Sequence, residues 1–237
     1  MHFHVITLFP ESLESYLGAS IIGRAVRDKK IKVSYYNPRD FTKDTWGRVD
    51  QKPYGGGPGM VLEAESILRA ATKAVGKRKA EIIFFDTSGK EFTNTYARTL
   101  AKKKTDVVFI CGHYEGVDAR VQKILKAKKV SVGKYTLTGG ELPAMVVVDA
   151  VARQLPGVLG KYESLEEERV ASPEVYTRPE ILTWKRKQYR APKILLSGNH
   201  KKIEEWKAKR AESRSCLHGT GSGHHAKIEA WKQRRKK

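Results

Sequence analysis

Three glycine-marked stretches have residue types and spacing that could do chemistry: Asp86-Thr-Ser-Gly89, Gly112-His-Tyr-Glu-Gly116 and Gly133-Lys-Tyr-Thr-Leu-Thr-Gly-Gly-Glu-Leu-Pro143. Each follows a short strand-forming run, and in α/β sheets ligands sit beyond the carboxyl ends of strands. Glycine at such a place lets backbone amides and carbonyls come close to a ligand, which suits an adenine, a ribose and an amino-acid tail. One such stretch more often serves a turn alone; three at successive strand ends point to a site. The commoner nucleotide signatures do not occur. Gly55-Gly-Gly-Pro-Gly59 is not GxGxxG and follows a polar loop, and there is no GxxxxGK[ST], which argues against dinucleotide and ATP sites.

The elements that must hold these stretches are legible as an α/β alternation. Strand character recurs at His4–Phe9, Ile31–Tyr36, Ile82–Phe85, Val107–Cys111 and Val130–Val132. Between them, Glu63–Val75 places Ile67, Leu68, Ala71 and Val75 on one helical face, and Val117–Ala127 does the same with Val117, Val121, Ile124 and Leu125. Helices between parallel strands are the economical topology. Pro10 and Pro143 mark first turns of helices, and Ser20 is placed as an N-cap before Ile21 and Ile22. The connection Asn37–Met60 is polar, glycine- and proline-rich and long enough to suggest binding. A second irregular stretch, Pro156–Pro179, carries the acidic run Glu166, Glu167, Glu168 and reads as a linker or mobile cover.

Lys and Arg number 46 against 26 Asp and Glu, a formal charge of +20, which points to a polyanionic partner, nucleic acid first. Residues 183–237 hold seventeen of the basic and four of the acidic residues, so most of the excess sits in this tail. A solvated basic tail and an RNA grip are equally compatible with charge alone. Within it, the run from Gly198 to Lys207 is echoed from Gly223 to Lys232, each ending in Ile-Glu-x-Trp-Lys. The two cysteines, Cys111 and Cys216, form no CxxC pair, so both read as reduced thiols. No apolar run approaches the roughly 18 residues a membrane span needs, and the N-terminus reads as a first strand of a cytoplasmic fold and not as an export signal. No metal site is read from spacing: His2 and His4 alternate on a strand, His224 and His225 lie in the repeat spacer, and all are expected at the surface.

Six blocks then occur together and in order: PYGGGPGM (53–60), CGHYEGVDARV (111–121), VGKYTLTGGELPAM (132–145), DAVARQLPGVLG (149–160), YTRPE (176–180) and LLSGNH (195–200). Over residues 1 to about 207 the chain resembles the bacterial tRNA (guanine-N1)-methyltransferase family, TrmD, of the SPOUT class. The resemblance implies an α/β fold with a SPOUT-type parallel sheet and a deep trefoil knot, plus a small basic helical C-terminal segment. It divides the chain into a cofactor-binding domain over 1–160, a flexible linker over 161–179 and an abbreviated tRNA-binding segment over 180–237. It implies methyl transfer from S-adenosylmethionine to N1 of guanine 37 in tRNA when a guanine precedes it, by a cytoplasmic homodimer whose active sites draw on both subunits. It also allows a magnesium ion, which uses few protein ligands and leaves no spacing to detect.

Carried over by position, the cofactor site comprises Thr87, Gly112, Tyr114, Glu115, Val132, Gly133, Lys134, Tyr135, Thr136, Leu137, Gly139, Gly140 and Pro143. Without the resemblance, Tyr135, Leu137 and Pro143 would read as ordinary packing. Guanine N1 must lose a proton as the methyl arrives, and charge then spreads toward O6, so the chemistry needs a carboxylate and an aimed guanidinium. Arg153 matches the family's arginine, and Glu168 takes the place of its aspartate base, with Glu166 and Glu167 as register alternatives. Here the chain departs from the family: the carboxylate is one methylene longer, Arg169 follows where a serine is usual, and the loop to Tyr176 is shorter. The tail also repeats its GNH…W element in place of the usual compact helical domain. These departures motivate a competing reading, a tRNA-binding homologue that keeps the cofactor pocket but turns over poorly. A third reading is a SPOUT enzyme acting on a ribose 2′-oxygen or on ribosomal RNA. For tRNA contact the expected groups are Arg48, Lys52, the Tyr54 loop and the basic tail.

Overall fold

The computed structural model describes residues 1–103, 105–159 and 174–217, with residues 211–217 described by backbone alone. In chain order the strands are β1 (His2–Ile6), β2 (Lys32–Tyr36), β3 (Asp50–Gln51), β4 (Val61–Leu62), β5 (Glu81–Glu91), β6 (Asp106–Ile110), β7 (Lys128–Ser131), β8 (Ile181–Trp184) and β9 (Lys187–Arg190). The helices are α1 (Glu11–Leu17), α2 (Ser20–Arg27), α3 (Ala64–Val75), α4 (Asn94–Lys103), α5 (Ala119–Leu125), α6 (Glu141–Ala152), α7 (Lys193–Leu196) and α8 (His200–Leu217). The chain divides into two compact units, Met1–Gly160 and Lys161–Lys237.

In the first unit, five parallel strands form one sheet in the order β2-β1-β6-β5-β7. Every residue of β6 is buried, as the unbroken apolar run Val107–Ile110 requires of a strand covered on both faces. The period of two sends Val107 and Phe109 to one face and Val108 and Ile110 to the other. On the first face Phe3, Val5 and Ile83 join Leu13 and Leu17 of α1, Ile22 of α2, Leu100 of α4 and the Val147, Val148 and Val151 row of α6. Phe109 stacks there between Phe3 and Phe85, at ring-centroid distances of 6.0 and 5.7 Å. The second face is closed by Ile67, Ala70, Ala71 and Ala74 of α3 with Val121 of α5. Each fully buried large side chain contributes about 1.5–3 kcal/mol, so this double-sided core dominates the stability of the unit.

Several local expectations are corrected. β5 does not stop at Phe85: it runs through the Asp-Thr-Ser-Gly stretch to Glu91, with a shift of register against β7 between Phe85 and Lys90. That stretch is therefore an irregularity within a strand and not a loop beyond one. Gly89 is what permits it, since a Cβ there would lie 2.5 Å from the Val130 amide nitrogen. Ser20 is the first residue of α2 and not its N-cap; Ala19 holds the extended conformation that a cap needs, and no side chain caps the helix. The Asn37–Met60 connection is partly ordered, with a 3-10 turn at Pro38–Phe41 and β3 pairing antiparallel with β4. His4 is completely buried, contrary to the surface placement expected for it.

The second unit, over its described residues, contains the β8–β9 hairpin, α7 and α8. Lys185 and Arg186 both take positive φ at the hairpin turn, the backbone that a two-residue turn between twisted strands demands. In the GNH block, Gly198 has φ +65° and the Asn199 side chain accepts from the Lys202 amide, starting α8. Among the described residues no helix is long and apolar enough to cross a membrane.

Candidate active site

A cavity of about 540 Å³ opens beyond the carboxyl ends of β6 and β7, against the irregular stretch of β5 around Asp86 and Thr87. It is built from two turns tied to each other by backbone. After β6, Tyr114 and Gly116 take φ of +59° and +121°, folding the Gly112–Gly116 turn back on itself. Leu62 donates to the Gly116 carbonyl and Asp118 to the Leu62 carbonyl at 3.0 and 2.9 Å, while the Glu115 amide donates to Met60. The Pro53–Met60 block is thereby anchored beside this turn, and a Cβ on Gly59 would lie 2.6 Å from the Glu115 side chain.

After β7, the Ser131 hydroxyl donates to the Gly133 carbonyl at 2.9 Å and holds the start of the second turn. Its far end lies against the first: His113 and Gly139 form an antiparallel bridge, and the Gly140 amide donates to Gly112. The approach leaves no room for side chains. A Cβ on Gly140 would sit 2.5 Å from Cys111 Cα, and one on Gly139 2.5 Å from the His113 ring.

Of the residues that sequence assigned to the cofactor site, Thr87, Gly112, Tyr114, Glu115, Val132, Gly133, Tyr135, Thr136, Leu137, Gly139, Gly140 and Pro143 all line this cavity. Lys134 does not line it and is exposed. Sequence reasoning missed Asp86, His113, Gln122 and Lys129, which also line it. His113 was within a quoted block, but its partner, Glu141, lies 28 residues on: His113 Nε2 is 2.7 Å from Glu141 Oε2. The other Glu141 oxygen accepts from the Thr7 hydroxyl at 2.5 Å, so one buried carboxylate at the start of α6 clamps both the His113 turn and the end of β1. Burial, with Glu141 nearby, pushes the Cys111 thiol well above its usual range, which makes it an inert wall. Asp86 is held by Lys129 at 2.8 Å and by Ser88, and these hydrogen bonds pull its carboxyl down to about 2.

Arg153 lies outside the lining, at the C-cap of α6, and its buried Nε has no hydrogen-bond partner among the described residues. Glu168, with Glu166, Glu167 and Arg169, lies outside the described residues. In the long connection Trp46 and Tyr54 are exposed, as is Lys52. Arg48 is less free than expected, since Asp44 receives both its Nε and its Nη2.

Residues 1–220 match the model of the family described as tRNA (Guanine-1)-methyltransferase TrmD. The chain belongs to the TrmD family. A relative from Carboxydothermus hydrogenoformans, named tRNA (guanine-N(1)-)-methyltransferase, is 43% identical over 215 residues, 89% of this chain and 83% of its own length. Relatives of the same name from Pseudoalteromonas atlantica and Caldanaerobacter subterraneus are 41% and 43% identical, each over about nine-tenths of this chain and more than four-fifths of their own length. The TrmD match thus spans both units, and the cavity falls on the blocks that first suggested the resemblance.

Proposed function

We propose that this tRNA (guanine-N1)-methyltransferase acts on guanine 37 of tRNA with S-adenosylmethionine as methyl donor. The observation that carries the proposal is the cavity between the two glycine turns in a TrmD-family chain. The residues fit such a donor: Gly133, Gly139 and Gly140 line the cavity without a Cβ, so their backbone can meet a nucleoside closely, and a Cβ at Gly140 would collide with the Cys111 backbone. Tyr114, Tyr135 and Leu137, each partly exposed at the cavity, supply apolar surface. When bound, S-adenosylmethionine supplies an activated methyl group. Magnesium uses one or two carboxylates. Asp86 is already held by Lys129 and Asp118 by Arg120, which leaves Glu115 as the acid to receive such an ion.

Arg153 is proposed to face guanine O6 and offset the charge that gathers there, and Glu168 to take the N1 proton. Support for Arg153 is its buried, unpartnered Nε, a donor that needs an acceptor from outside the described residues. Glu168 rests on its position after the Pro-Gly-Val-Leu-Gly block. A second copy of the chain belongs to the same proposal. Leu142 and Val146 stand exposed one turn apart on α6, beside exposed Tyr16, whose hydroxyl donates to Asp149 of that helix. The trefoil knot, a cytoplasmic location and a linker over 161–179 complete this reading, with the basic 180–237 segment holding tRNA phosphates.

Labelled donor and two tRNA transcripts test it, one with guanine at positions 36 and 37 and one with adenine at 37. Label should enter only the first and appear as 1-methylguanosine after digestion. Arg153→Ala and Glu168→Ala should each lower kcat by about 10²–10⁴-fold while calorimetric uptake of the donor persists. No label in either transcript, or label on ribose, overturns the proposal. The same assay in EDTA reads any magnesium contribution.

A further inference from the structure

At the amino ends of β1 and β6, the opposite end of the sheet from the cavity, three metal-ligating side chains converge. Parallel pairing sets His2 opposite Asp106, and His2 and His4, two residues apart, project from the same face. Their rings lie 3.8 Å apart, centroid to centroid. One ligand atom from each of His2, His4 and Asp106 falls within 4.8 Å of the others. Asp106 Oδ1 is 2.9 Å from His4 Nε2 and 3.9 Å from His2 Nδ1. Four-coordinate zinc, bonded at about 2.0–2.2 Å, spaces its ligand atoms by about 3.3–3.5 Å. The two observed distances bracket that spacing, so shifts of about half an ångström would seat an ion.

The outward ring nitrogens are already engaged. His2 Nε2 is 2.9 Å from the Ser34 hydroxyl and His4 Nδ1 is 3.2 Å from the Tyr36 hydroxyl. Both hydroxyls come from β2, the neighbouring strand, and can accept an N–H from the ring. In the ion-free fold His4 Nε2–H donates to Asp106 and the Tyr36 hydroxyl donates to Nδ1. An ion that displaces that proton leaves Nδ1–H to donate to Tyr36, and such outer hydrogen bonds hold the inward nitrogens as they do around ligating histidines generally. Burial, with the Lys32 and Arg78 charges adding to it, outweighs the opposing pull of Asp106 and lowers both imidazoles, His2 to about 4, so they are neutral at pH 7 as ligation requires. One group competes. Arg78 Nε lies 3.3 Å from Asp106 Oδ1 and its Nη2 donates to the Ala74 carbonyl at 2.6 Å, but its side chain is half exposed, so an ion has to displace only the Nε contact.

We propose that His2, His4 and Asp106 form a binding site for a divalent transition ion of the zinc class, with Arg78 occupying the carboxylate when no ion is bound. Two imidazoles and a carboxylate suit zinc better than magnesium or calcium, which prefer all-oxygen shells. Water completes the fourth position. The site ties the start of β1 to β6, and so acts on stability and not on methyl transfer.

The full chain, stripped with EDTA, is dialysed against micromolar zinc chloride and its bound zinc counted by mass spectrometry. His200, His218, His224 and His225 offer other imidazoles, so the reading is the difference between wild type and His2→Ala, a change at a partly exposed strand start. Wild type should hold one more equivalent of zinc, with at least tenfold tighter uptake, and Arg78→Gln should tighten it severalfold further. Zinc should raise the thermal midpoint of wild type and leave that of His2→Ala in place. Methyl transfer by the two proteins should be equal, which separates this site from the proposed activity. Equal zinc uptake by wild type and His2→Ala overturns the site. Should His2→Ala fold poorly by circular dichroism, His2→Gln carries the same comparison.

Discussion

The two ends of the parallel sheet solve the same problem in opposite ways. At the amino end, polar groups are closed by side chains: His4 on Asp106, Arg78 beside it, Lys128 on Glu81. At the carboxyl end, the turns around the cavity are tied by backbone, Gly140 to Gly112 and Leu62 to Gly116, and side chains are missing where the two turns approach. A sheet end becomes a pocket when backbone hydrogen bonds replace side-chain pairs, because the space that side chains would fill stays open. Side chains still pair at the rim, Lys129 on Asp86 and Arg120 on Asp118, and Glu141, a buried carboxylate, locks the open end from behind through Thr7 and His113.

The sharpest way to break this contrast is to put a side chain into the open end. Gly140→Ala places its Cβ 2.5 Å from Cys111 Cα, where the obstacle is backbone and cannot turn aside. Overpacking of this kind destabilises by about 1–3 kcal/mol, and prising the turns apart should weaken S-adenosylmethionine uptake at least tenfold by calorimetry. Gly56→Ala is the control: its φ of +79° strains a side chain, but nothing lies within 4 Å, so about 1 kcal/mol and unchanged donor uptake are expected. Equal donor affinity in wild type and Gly140→Ala would mean that backbone approach does not shape the pocket.

The closed end should reveal itself through acid sensitivity. In the zinc-free fold His2 stays neutral down to about pH 4 and His4 is shifted in the same direction, against an ordinary value of 6.5. Between pH 6.5 and 4 the unfolded chain takes up protons that the fold refuses, so stability falls as pH drops through that window and levels below it. Desolvation works against the Asp106 carboxylate, yet hydrogen bonds from His4 and Thr105 and the Arg78 charge leave its pKa lowered. Its share is therefore lost only as pH falls below its ordinary 3.8. The urea midpoint in EDTA should be lower at pH 5 than at pH 7.5, and the drop should be smaller in His2→Ala. A midpoint unchanged across that range would remove the two histidines from the stability of this end.

The same contrast explains how much of the molecule could be read from its residues. β6 declared itself because a strand covered on both faces reads as an unbroken apolar run, here Val107 to Ile110, and α3 because Ile67, Ala71 and Val75 keep helical spacing. β5 beyond Phe85 did not, since Asp-Thr-Ser-Gly has the composition of a turn, and pairing with β7 skips it and resumes at Lys90 and Glu91. The pocket was legible where glycine blocks mark close backbone approach; Lys134 shows the limit, lying within a block while standing clear of the cavity. His113 and His4 were opaque for one reason. Each acquires its meaning from a carboxylate far along the chain, Glu141 or Asp106, and no local pattern encodes that pairing.

The smallest effect is expected where charge pairs stand on the open surface, away from both ends. Glu65 receives Lys43 at 2.7 Å and Arg69, one turn along α3, also at 2.7 Å. Hydrogen bonds from these two cations hold its carboxyl below the usual range. All three side chains are about half exposed or more, so water and salt screen the attraction while the long side chains lose freedom in making it. Glu65→Gln should leave the thermal midpoint within experimental error at physiological salt. A clear drop would show that charge pairing stabilises this unit wherever it occurs, and the amino end of the sheet would then owe its closure to charge itself and not to burial around it.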